Sequence, residues 1–428
     1  MNMKNSFLNN RELKNASWII LGKIIQIVIT FFVTMFVIRY LGPANYGKLN
    51  YASAYVAFFS SLCTLGINSV IIKFFADSPH NHGEIIGTTI GLRVISSSIS
   101  YFLIVCIVAF VNRGEEDIIS ITALCSVALI FQTFDTINYW FQSNYNSKVT
   151  SMVLLMAYIG TAIYNVVLLF LHKGIYWFAF ATSVNYIVIA FLLYHTYKIH
   201  GGQELKFSLA VGKKILRSSY HYILSGMMVA VYGYTDRLML KNMVDNETLG
   251  YYSLAASIST MWVFLLMAVI DSVYPTIINL FRKDKIAFEK KNRQLYAIVI
   301  YSSFTVALLL TFSGEFFITL IYGAAYKLAN EPLKITVWYV AFSYLGVARN
   351  AWIVCNGYQK YLKYMYLGAA VINVFLNYLF IPLMGASGAA FASLITQIFT
   401  SMILPSFIKD MRPNVKLMID AFMLKNLK

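Results

Sequence analysis

Ionisable residues stand inside stretches otherwise apolar enough to lie in lipid, among them Lys23, Arg93, Arg237 and Arg349, with Asp135, Asp236 and Asp271. Such a charge must be solvated, paired or used, so it marks a functional site by default. In ASWIILGKIIQIVITFFVTMFVIRY, residues 16–40, Lys23 begins a polar series with Gln26, Thr30 and Thr34. At ~100° per residue the four fall within roughly 80° of one another. The blander reading is a lysine snorkelling to the surface from roughly 10 Å depth. Arg93 shares a face with Thr89, Ser96, Ser97 and Ser100, and Asp135 shares one with Gln132, Asn138 and Gln142. Lys23, Arg93, Arg349 and Asp135 all fall roughly 8–12 Å from the cytoplasmic ends of their helices. Three cations at matched depth predict a cation-rich, water-filled cavity open to the cytoplasm.

That chemistry suits an anionic head group, because lysine and arginine bind phosphate well, arginine through a planar fork. The hydroxyl and amide side chains on the same faces suit a hydroxyl-rich ligand, and Asn373 with Asn377 and Ser393 with Gln397 extend them. Arg237 lies near the outer end of its helix beside Asp236, where a local ion pair and a role at the outer mouth are both open. For Asp135 and Asp271, pairing with the cations is the favoured reading. A proton or Na⁺ coupling site is the sharper one.

The elements that carry these residues are membrane helices. The 428-residue chain is 59% hydrophobic and 12% charged, with mean hydropathy +0.65, whereas soluble domains run near 25% charged. Long apolar runs replace the alternating pattern of a membrane barrel, so the fold class is all-α and polytopic. Twelve spans are read at about 16–40, 49–72, 85–111, 118–140, 150–171, 175–197, 218–240, 249–278, 295–312, 333–356, 364–383 and 386–407. Ser313–Glu331 reads as a non-membrane stretch with a short surface helix. The stripe Val415, Met418, Ile419 and Phe422 reads as a helix on the membrane surface. Lys and Arg divide about 23 to about 7 between the two sides, which places both termini in the cytoplasm.

Six spans precede the basic connection at 198–217 and six follow it. Tyr46-Gly-Lys-Leu-Asn-Tyr-Ala52 and Leu249-Gly-Tyr-Tyr-Ser-Leu-Ala255 open the second span of each half, 203 residues apart, which suggests a parallel repeat. The division is therefore 1–200, a linker at 201–217, 218–407, and a cytoplasmic tail at 408–428. The +16 charge sets topology and does not indicate nucleic acid. Cys63, Cys106, Cys125 and Cys355 show no metal or redox spacing, and the histidines show no ligand spacing. No long extramembrane loop, Asp-x-Asp or nucleophile motif supports an enzyme. No metal or cofactor is expected beyond a coupling proton or Na⁺.

Arg39-Tyr-Leu-Gly-Pro-Ala-Asn-Tyr-Gly47 resembles the turn after the first helix in Wzx-type polysaccharide repeat-unit flippases. So do Leu224-Ser-Gly226 with Tyr234-Thr-Asp236-Arg237-Leu-Met-Leu240 and Gly250-Tyr-Tyr-Ser253, and Asn377-Tyr-Leu-Phe-Ile-Pro382 with Gly385-Ala-Ser-Gly-Ala-Ala390. The chain departs from that pattern at His221-Tyr222, where a proline is usual, and at Asp271. The resemblance implies a V of two six-helix bundles like that of the multidrug and toxin extruders. It implies transfer of undecaprenyl-diphosphate-linked oligosaccharide, for O-antigen or a related polymer, from the cytoplasmic to the periplasmic leaflet. Membrane lipid and the polysaccharide polymerase machinery are the implied partners. A cation-coupled multidrug antiporter of the same fold is the alternative, but it would want an acid-dominated cavity.

Overall fold

The computed structural model describes residues 11–425, with side chains from Ile25 onward except Ser225. Eight helical stretches are long and apolar enough to cross a bilayer by length and composition. Glycine breaks two of them. At Gly42 (φ 72°, ψ 169°) the helix Arg11–Cys63 divides into α1 (11–41) and α2 (43–63), the second opening on Pro43. A positive φ is free of steric penalty only for glycine, and proline suits a first helical position. Gly385 likewise divides Leu362–Ile398 into α11 (362–384) and a second helix. That second helix, α12, runs on to Phe407.

Between them lie α3 (His82–Val111), α4 (Glu116–Ser143), α5 (Ser147–Phe170), α6 (Ile175–Ile199), α7 (Leu209–Met243), α8 (Asn246–Lys283), α9 (Lys285–Tyr322) and α10 (330–355). Twelve membrane-length helices are thus formed by the described residues, followed by a short α13 (Arg412–Phe422). Two connections and the tail are more tightly packed than the sequence suggests. The basic stretch at 282–293 is almost all helix, because Asp284 alone separates α8 from α9 and accepts from the Ile286 and Ala287 amides. Ser313–Tyr322 continues α9, so the predicted non-membrane stretch shrinks to the turn Ala324–Ala329. The tail stripe packs on protein: Val415 and Met418 are buried, Asn414 donates to the Tyr296 hydroxyl at 2.7 Å, and only Ile419 and Phe422 stay exposed.

The chain forms two compact units. Unit 1 holds the residues up to Leu41 with Tyr51–Ala230, and unit 2 holds Gly42–Asn50 with Val231 onward. In unit 1, Ile86, Ile90, Ile137, Phe141, Leu193 and Ile215 form the core. In unit 2, Tyr296, Val299, Trp352, Ile353, Met365 and Met418 do. Large apolar side chains outside these cores, such as Phe110, Phe170 and Phe312, are exposed, as lipid-facing positions should be.

Within unit 2 the two copies of the repeated sequence pack on each other. A Cβ on Gly47 would fall on the Asn246 carbonyl, and one on Gly250 would fall on the Pro43 carbonyl. Gly47 and Gly250 are equivalent under the 203-residue offset, and so are Pro43 and Asn246, so each contact is the other with its partners exchanged and the contact is isologous, as across a two-fold axis. This supports the duplication independently of span count.

Unit 1 has its own glycine contact. Gly83, Gly87 and Gly91 line one face of α3, and the connection after α6 lies extended along it. Added Cβ atoms would strike the Glu204 carbonyl, the Lys206 backbone and the Phe207 ring. The Gly83 amide donates to Gln203 Oε1 (2.8 Å), and the Ser208 amide donates to Thr88 Oγ1 (2.9 Å). The predicted linker is therefore a strap fixed to the helix that carries Arg93.

Candidate functional site

Each unit buries one arginine against an irregular turn of a neighbouring helix. In unit 1, α4 tightens to 3₁₀ geometry over Gln132–Asp135. Such a turn changes the hydrogen-bond register and leaves backbone acceptors to be satisfied elsewhere. Arg93 on α3 is 2% exposed, and it supplies the donors. Its Nη1 donates to Thr136 Oγ1 at 3.1 Å, and its Nη2 donates to the Gln132 carbonyl at 3.3 Å. Its Nε finds no partner among the described residues. Asp135 is half-buried in the same field, together with Tyr139 and Tyr186. It makes no ion pair with Arg93.

The rest of this shell is polar. Ser97 is fully buried near the Cys63 thiol. Gln26 on α1 lies beside the Tyr158 hydroxyl, which also stands in the field of Asp135. Thr161 donates to Asn185 Oδ1 at 3.1 Å. The side chain of Lys23 lies outside the described residues. Of the predicted site residues, Gln26, Arg93, Ser97 and Asp135 are thus brought into one unit, joined by tyrosines that sequence spacing did not single out. Tyr139 lies one turn beyond Asp135, at i+4, and that spacing was the available signal.

Unit 2 arranges its groups differently. In α12 a π turn spans Phe399–Ile403, and π geometry frees carbonyls by shifting the ladder by one residue. Arg349, at the break within α10 and 3% exposed, donates from Nη1 to the carbonyls of Thr400 (3.1 Å) and Ser401 (3.0 Å). The side chains that interact with it electrostatically are Tyr232, Tyr296 and Tyr366, with no acid among them. Asn377 donates to Asn373 Oδ1 at 2.9 Å, and both are fully buried.

Asp236 accepts from the Tyr252 hydroxyl and, at 2.8 Å, from the backbone amide of Arg237. Ser393 stands beside the same carboxylate. The Arg237 guanidinium lies over the Tyr234 ring at 5.6 Å instead of on its neighbour. Tyr232 donates to Gln397 Oε1 at 2.5 Å. Asp271 is exposed on α8 in a polar stripe with Ser272, Thr276 and Asn279. Neither Asp135 nor Asp271 takes a direct ion pair among the described residues, although Asp135 and Arg93 stand in each other's field. No cluster of metal-ligating side chains occurs among them either.

Comparison with known proteins fits this architecture. The chain is 24% identical over 403 residues to the capsular polysaccharide biosynthesis protein CapF of Staphylococcus aureus, covering 90% of this chain and 96% of that one. Its fold matches an inward-facing multidrug resistance MATE family transporter of the MOP superfamily, with TM-score 0.68 and 13% identity over 92% of this chain and 98% of the other. It matches the lipid II flippase MurJ in an inward closed conformation equally well, with TM-score 0.69 and 13% identity over 94% and 90%. The multi-pass membrane fold is therefore that of the MOP transporters. Residues 13–281 match the family described as Polysaccharide biosynthesis protein, and with well over half its length inside that match the chain belongs to this family.

Proposed function

We propose that the chain moves a polyprenyl-diphosphate-linked oligosaccharide from the cytoplasmic to the periplasmic leaflet of the inner membrane by alternating access. The observation that carries this reading is the buried positive charge inside the protein. Arg93 and Arg349 are both buried and neither makes a salt bridge among the described residues; one half-buried acid, Asp135, stands in the field of Arg93. A cationic drug would meet the wrong sign there, whereas a diphosphate meets the right one. The similarity to a capsular polysaccharide protein and the fold shared with a lipid II flippase support the same reading. The Lys/Arg bias places both termini in the cytoplasm, and the polymerase machinery is the partner downstream.

Arg93, with Lys23, Gln26 and Ser97, docks the diphosphate. Arg349, Asn373 and Asn377 hold unit 2 together, and Arg237 serves the outer mouth. Asp135, half-buried among Tyr139 and Tyr186 in the field of Arg93, is the coupling site for a proton or Na⁺. The direct test is the lipid-linked sugar of a deletion strain. Complete single repeat units should accumulate on the inner leaflet while surface polymer disappears. Normal polymer combined with new sensitivity to cationic dyes would instead establish the antiporter.

A further inference from the structure

On unit 2, a groove of about 300 Å³ opens between α8 and α9, lined by Val273, Leu295, Ala297 and Ile298 with Lys291 and Gln294. Its place on α9 is informative. Lys291, Gln294 and Ile298 lie on one helical face, at i, i+3 and i+7. That face continues through Tyr301, Thr305, Leu308, Phe312 and Phe316, all exposed, with Phe312 at 84%. An apolar side chain so exposed on a membrane helix faces lipid. The exposed run from Ile298 to Leu320 is roughly 33 Å long at ~1.5 Å per residue, which matches a ~30 Å hydrocarbon core. Lys291 lies about 10 Å before that run begins, at the depth of the phosphates.

The lysine has no answering charge. It is half-buried, and among the described residues it makes neither an ion pair nor a hydrogen bond. Residues 282–293 hold six cations, Arg282, Lys283, Lys285, Lys290, Lys291 and Arg293, against two acids. One of these acids, Asp284, is engaged in capping α9. A half-buried ammonium over an apolar groove, within a basic cluster at the membrane boundary, is built to meet an anion that brings its own hydrocarbon.

We propose that this groove is a binding site for an anionic phospholipid. Its phosphodiester meets Lys291, and one acyl chain lies along Val273, Ala297 and Ile298. The inference does not rest on the flippase reading, since any membrane residence supplies the ligand.

The test uses the full-length protein in detergent and native mass spectrometry, with dioleoylphosphatidylglycerol and dioleoylphosphatidylcholine as probes. Wild type should retain the anionic lipid at least fivefold better than the zwitterionic one. Lys291→Gln should cut that preference about fivefold, equivalent to the ~1 kcal/mol expected of one basic residue at a membrane surface. Lys291→Arg should restore it, which separates charge from misfolding. Ile298→Trp, which fills the groove and keeps the lysine, should lower retention of both lipids. Equal retention of the two lipids by wild type, or an unchanged preference in Lys291→Gln, would overturn the proposal. So would displacement of phosphatidylglycerol by an equimolar short-chain polyprenyl diphosphate, which would give the groove to the polyprenyl carrier instead.

Discussion

Arg93 and Arg349 meet the same physical problem in the two units and are left with different freedom. Each is buried on a helix and turned toward backbone released by an irregular turn, 3₁₀ in α4 and π in α12. Arg349 holds two carbonyls at 3.0–3.1 Å from one nitrogen, and tyrosines surround it. Arg93 holds one hydroxyl and one carbonyl, the latter at 3.3 Å, with a half-buried acid in its field. Moreover, the hydroxyl it uses already donates to the Thr133 carbonyl, so Thr136 keeps a partner if the arginine leaves. Arg349 instead meets two main-chain carbonyls and no side-chain hydroxyl. Burial alone therefore does not distinguish a structural cation from a working one, but the partners it would leave unsatisfied do.

The largest expected effect lies where the halves are equivalent. Gly47→Ala and Gly250→Ala each place a Cβ on a backbone carbonyl that cannot swing away. Both should abolish folded protein, measured by fluorescence-detected gel filtration, and the two losses should match. If either variant is tolerated, the isologous contact is looser than described. Next comes Arg349→Leu, which strands the Thr400 and Ser401 carbonyls at about 1–3 kcal/mol each. Against a total of ~5–15 kcal/mol, that should lower both protein level and melting temperature. Arg93→Ala should leave the level nearly intact but reduce repeat-unit export at least tenfold. Arg93→Lys should keep part of the export, because the point charge survives and the fork does not. Equal loss of protein in Arg93→Ala and Arg349→Leu would erase the contrast.

The helices were legible because a bilayer enforces them: apolar length gave twelve spans, and Gly42 and Gly385 marked two of the turns. The ionisable residues were legible for the same reason, since charge is rare in such helices. Their partners were not. The acceptors of both arginines include main-chain carbonyls, which no side-chain pattern encodes, and they depend on one-residue slips in helical register. The glycine face of α3 went unread, because a spacing of four does not say what lies on it. Here it is the chain's own linker, which the sequence marks only as a basic connection. The tail stripe was read as lipid-facing because amphipathicity shows an apolar face without naming its partner, and that partner is α9.

A middle-sized effect tests whether the strap matters to unit 1 alone. Gly87→Val should push the 203–207 segment off α3, at about 1–3 kcal/mol for overpacking. A cysteine at Leu205 should then label with a thiol reagent at least severalfold faster, while a cysteine in α9 is unaffected. Unchanged labelling at 205 would mean that the strap is not held by the glycine face.

The smallest effects separate the acids. Asp271 is exposed, holds no partner among the described residues, and lies in a polar stripe that keeps its solvation when the charge is removed. Asp271→Asn should therefore change stability by less than ~0.5 kcal/mol and leave export at wild-type rate. Asp135 is equally free of an ion pair but lies in the field of Arg93 and among tyrosines. If it carries the coupling cation, Asp135→Asn should stop gradient-driven transport in proteoliposomes while substrate binding persists. If instead it only balances Arg93, the double variant Arg93→Ala with Asp135→Ala should recover the export lost in Arg93→Ala. Full recovery at matched protein level would remove Arg93 from the docking site and give it the same structural standing as Arg349. Continued loss, with Asp135→Asn insensitive to the gradient, would keep the two arginines distinct and assign docking and coupling to neighbouring groups of one unit.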